Sequence, residues 1–78
     1  MAAPGNNIRN RILEICVELG NVRLHLSEID RQMQDVRLGG TIEELFYLIS
    51  RYSTYLQREF ELEYELRTDY NFVYPRYH

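Results

Sequence analysis

Cys16 and His25 are the one thiol and the one internal imidazole of the chain, so nucleophilic catalysis would have to pair them. Nine residues of helix turn a side chain through about 180°, which points the two away from each other. Cys16 lies beside an apolar seam and reads as a small buried thiol. His25 reads as a solvated or interfacial side chain. A metal held by His25 and Glu28 would lack further ligands at workable spacing. Gly39-Gly40 lacks the Lys-Ser/Thr that follows a phosphate-cradling loop. The expectation is a protein without catalysis, cofactor or metal.

Arginine is the other residue type with chemistry to offer. All nine basic side chains are arginine and none is lysine, where ordinary lysine usage would put about four or five in a chain this long. A GC-rich genome would account for this, as would a demand for planar guanidinium forks or an advantage in lacking ubiquitin acceptors. Arg9, Arg23 and Arg37 recur every fourteen residues and share one heptad position, so they form a sparse row along one edge of a helix. Such a row ordinarily pairs with acids of a neighbouring helix. Alternatively it would track the phosphates of double-stranded RNA by shape. The same helix carries Glu14, Glu18, Glu28, Asp30 and Asp35, which cancel its charge. Net charge over the 78 residues is −3, against a simple electrostatic nucleic-acid binder.

The elements that position these residues follow from apolar spacing. Ile8, Ile12, Ile15, Leu19, Val22, Leu26, Ile29, Met33 and Val36 are separated by gaps that alternate 4, 3, 4, 3. That is a seam of 3.5-residue period, and a helix over 8–38 would be about 46 Å long. Gly20-Asn21 is its weak point, but the seam keeps phase across it. Residues 1–7, with Pro4 and Gly5, have no periodicity and are expected to form a flexible arm. Gly39-Gly40 breaks the pattern. Thr41, three residues before Glu44, opens a second apolar run as a capping box, with the hydroxyl taking the Glu44 N–H and the carboxylate reaching back.

In the second run Ile42, Leu45, Phe46, Leu48, Ile49, Tyr52, Tyr55 and Leu56 occupy about half the helical circumference, more than one partner helix needs. Residues 59–66 alternate glutamate with Phe60, Leu62, Tyr64 and Leu66, the period of a half-buried strand. Against a strand stand the absence of glycine or proline between residues 41 and 74, and the helix preference of glutamate and leucine. Reversal at Gly39-Gly40 also sets residue i opposite roughly 79−i, which brings Glu65 and Asp69 near Arg9 and Arg11, and Glu59 near Arg23. Helix is therefore favoured to residue 68. The closing segment, 69–78, is an aromatic tail in which Pro75 bars further helix.

The expectation is an all-α antiparallel hairpin, 8–38 and 42–68, that pairs into a homodimeric helical bundle; the alternative is α+β with strands in 59–77. Interface positions are Ile12, Ile15, Leu19, Val22, Leu26, Ile29, Met33, Leu45, Ile49, Tyr52 and Leu56. In the tail, Tyr70 and Phe72 should pack on the helices, and Tyr74, Arg76 and Tyr77 should face a protein partner. The implied function is oligomerisation and protein–protein binding by an adaptor or accessory factor. The alternative is a dimeric RNA binder using Arg9, Arg23 and Arg37. No apolar run approaches the roughly 18–20 residues of a membrane span, and no signal peptide is apparent, so an intracellular site, cytoplasmic or nuclear, is expected. A lysine-free chain of this size, complete from Met1, suits a viral or phage accessory protein.

Overall fold

A computed structural model describes residues 4–73, with side chains from Asn7 onward. Two helices pack against each other as an antiparallel hairpin: α1, Pro4–Gly39, of 36 residues, and α2, Ile42–Tyr70, of 29. The described chain is a rod of 56 × 22 × 20 Å. There is no strand among the described residues, and 59–70 are helical. Local propensity therefore prevails over the acid–apolar alternation.

The start of α1 differs from the expected boundary. Helix begins at Pro4, ahead of the first seam residue, Ile8. Proline lacks only an N–H that the first helical turn leaves unbonded, and no apolar residue between 4 and 7 could register in a periodicity. The helix also runs through Gly20 without interruption.

Ile15, Leu19, Val22, Leu26, Leu62 and Leu66 form the buried core, with Ile12, Cys16, Tyr52, Tyr55 and Tyr70 packed on it. Ile29 and Leu48 are buried nearer the turn. On α2 the inward row is Leu45, Leu48, Tyr52, Tyr55, Glu59, Leu62 and Leu66, spaced 3, 4, 3, 4, 3, 4, so both helices present a 3.5-residue seam to each other. One member of that row is a carboxylate.

The reversal is short because Gly40 permits close approach. Its N–H donates to the Val36 carbonyl at 2.6 Å, and a Cβ on Gly40 would stand 2.7 Å from Val36 Cγ1. The Thr41 hydroxyl accepts from the Glu44 N–H at 3.1 Å and caps α2. The reciprocal bond from the Thr41 N–H to the Glu44 carboxylate is not formed among the described residues, so half of the expected capping box exists. At the far end Asn71 adopts the left-handed conformation, φ 52°, and the N–H groups of Asn71 and Phe72 both turn back to the Leu66 carbonyl.

Candidate interaction surface

Charged groups bracket the seam on both flanks. Arg11 holds Glu65 through two hydrogen bonds of 2.9 Å, and Arg58 donates to Glu18 at 2.6 Å. Arg11 and Glu18 share one heptad position of α1, as Arg58 and Glu65 do in α2, so these contacts lie along a single flank. Arg23 works the other flank. Its Nε donates to Glu59 and its Nη2 to Glu63, each at 3.0 Å. The Arg23 and Glu59 side chains are 24% and 17% exposed, which makes this the most enclosed ion pair of the molecule as described. The expected neighbours Arg11–Glu65 and Arg23–Glu59 thus meet, each within one helical turn of the 79−i register, while Asp69 forms no ion pair among the described residues.

Hydrogen bonds to the charged forms shift the outer pairs in the ordinary direction. Arg58 draws the Glu18 carboxyl below its usual value, and Glu18 in turn raises Arg58. Glu65 raises Arg11.

The arginine row is not uniform. Arg23 is committed to two carboxylates, whereas Arg9 and Arg37 are exposed and form no ion pair among the described residues. These two stand 28 residues apart, about 42 Å along the helix.

The expected contact residues also divide. Ile15, Leu19, Val22, Leu26 and Ile29 are buried within the hairpin, and Ile12, Met33, Leu45 and Tyr52 are half-buried. Ile49 and Leu56 are exposed. They belong to a second row on α2 that Ile42, Phe46, Phe60 and Tyr64 complete, all of it in solvent. Ile42, Ile49 and Leu56 share the heptad position of Glu63, so this row runs beside the Arg23 clasp. Leu13, Val17 and Leu24 make a smaller exposed group on the back of α1. Ile42, Phe46, Phe60 and Tyr64 were absent from the expected contacts, although the half-circumference arc already contained Ile42 and Phe46. The fault lay in the division of the arc, which depends on where the partner helix sits. Periodicity alone cannot place it.

No family model, curated protein or solved structure matches this chain.

Of the tail, Tyr70 packs on the core as expected, whereas Phe72, expected to pack on the helices, is exposed beyond the turn at Asn71. Tyr74, Arg76 and Tyr77 lie outside the described residues. His25 is exposed and sets its ring edge-on to Tyr55, with centroids 4.8 Å apart, while Cys16 packs against the core. No group of three metal-ligating side chains exists among the described residues, and no described helix is long and apolar enough to cross a membrane.

Proposed function

We propose that this chain is a non-catalytic oligomerisation and protein–protein interaction module whose hairpins pair into a homodimeric helical bundle. One observation carries the reading. The hairpin closes its own seam and clasps it with Arg11, Arg23 and Arg58, yet leaves six large apolar side chains, interrupted only by Ser53, in water along α2 from Ile42 to Tyr64. Contiguous apolar surface of this extent on a small soluble protein marks an interaction site. A two-helix core is also marginal by itself at this size, and association supplies the missing burial.

The role proposed is that of an adaptor or accessory factor, with Tyr74, Arg76 and Tyr77 as contacts for a different protein. Its place is inside the cell, where a lone thiol such as Cys16 stays reduced. The RNA-binding reading has less support, because the middle member of its arginine row is already neutralised by Glu59 and Glu63.

Sedimentation equilibrium at micromolar concentration tests the module. A mass near twice 9.4 kDa, with a melting temperature that rises with concentration, is the expected result. A monomer at every concentration, with a sharp and concentration-independent melt, would overturn it.

A further inference from the structure

The geometry points to the partner of the exposed α2 row: the same row of a second copy, antiparallel, across a two-fold axis through Ser53. This rests on the oligomerisation reading and specifies its contact. The row runs Ile42, Phe46, Ile49, Ser53, Leu56, Phe60, Tyr64. Counted outward from Ser53, its members fall at −4, −7 and −11 on one side and at +3, +7 and +11 on the other. Such a sequence is nearly the same read from either end. A two-fold axis at Ser53 therefore lays Phe46 on Phe60 of the second copy, Ile42 on Tyr64, and Ile49 on Leu56. Self-complementarity of this kind is what an isologous interface demands. A foreign helix would have no reason to impose it.

Size agrees. Phe46 is 64% and Phe60 66% exposed, and the other four large side chains are between 44% and 69%. The six leave about 700 Å² in solvent, close to the roughly 800 Å² that each partner contributes to a standard stable interface. From Ile42 to Phe60 the row holds no charged side chain, and Ser50 and Gln57 flank it with neutral polar groups. Along that stretch two copies meet without desolvating an ion, and the carboxylates Glu43, Glu61 and Glu63 fall toward the two ends of the contact. Ser53, the smallest member, sits at the crossing point, where a small side chain lets two helices approach closely. Antiparallel packing also opposes the two helix dipoles. Glu43 of one copy falls near Glu63 of the other, a carboxylate that Arg23 already holds.

The experiment uses the full chain with Cys16→Ser as background. Ser53→Cys should form a disulfide-linked dimer on mild oxidation, and Thr54→Cys, turned about 100° further round α2 and away from the row, should not. A spin label on Glu43→Cys should lie about 30 Å from its copy, since twenty residues of helix separate the two positions along the axis. Phe60→Glu should raise the dimer dissociation constant at least thirtyfold or so while helicity is kept, because the side chain it replaces has no place in the hairpin core. A dimeric mass with no Ser53→Cys cross-link, or with Glu43→Cys labels about 10 Å apart as in a parallel pair, would overturn this contact and leave the module standing. A monomeric mass throughout would overturn both.

Discussion

Arg23 is the side chain on which the middle of the hairpin depends. Glu59 occupies a seam position where an apolar residue would normally sit, between Tyr55 and Leu62, and Arg23 is what makes it tolerable there. Arg23→Ala leaves a mostly enclosed carboxylate without its fork, and should cost about 1–2 kcal/mol once residual solvent access is allowed for. Arg23→Lys should recover little of this, because one ammonium cannot span Glu59 and Glu63 as the guanidinium does. Glu59→Leu should leave stability equal or raise it, since Arg23 keeps Glu63 and the seam becomes continuous. Urea unfolding of the three variants checks the ranking. A second prediction concerns acid. Glu18 has its folded-state pKa lowered by the hydrogen bond from Arg58. Its contribution is therefore present above the unfolded value of about 4.3 and lost as pH falls through the folded value. The pair is exposed, so the effect is under about 1 kcal/mol. Between pH 5 and pH 3 the melting temperature of Glu18→Gln should fall less steeply than that of the parent chain. Parallel slopes would mean that Arg58 gives Glu18 nothing.

The two helices were legible because each repeats its apolar residues at a helical period, and Thr41 marks the second start. Their ends were less so. Pro4 to Asn7 contribute nothing to a seam, and α2 ends in an αL turn at Asn71 that composition alone does not announce. The charge neighbours Arg11–Glu65 and Arg23–Glu59 could be read because one reversal at Gly39-Gly40 sets the whole register. The exposed row was harder. Whether Ile49 or Leu48 points inward depends on a rotation of α2 of about 100°, and that is decided by the facing helix. The connection itself makes a clean prediction. Gly39 has nothing within 4 Å of where a Cβ would stand and no positive φ, so Gly39→Ala should stabilise by up to about 1 kcal/mol through a less flexible unfolded chain. Gly40→Ala should destabilise, since its methyl would meet both Cγ1 and Cα of Val36, at 2.7 and 3.0 Å, and the backbone would have to move. Thermal melts of the two single variants should shift in opposite directions.

At the scale of the molecule the hairpin is a long object for its mass. Its Cα radius of gyration is 16.3 Å, against about 11–12 Å for a compact domain of the same length. Nearly all of its tertiary contact joins residues opposite each other along one line, and the start of α1 and the end of α2 are both at the open end. That arrangement gives the hairpin a mechanical direction. A load applied across the two ends of the chain acts on one layer at a time, first on Leu66 and its neighbours, and peels the helices apart toward Gly40. A load applied between the Gly40 turn and the end of α2 runs down the α2 backbone itself, and that helix can lengthen only by sliding out of register with Ile15, Leu19, Val22, Leu26 and Arg23 of α1. Optical-tweezer pulling through handles at the two termini should give gradual opening at low force, and handles at residue 40 and the C-terminus a single rip at several times that force. Equal forces in the two geometries would mean that the seam does not act as a zipper.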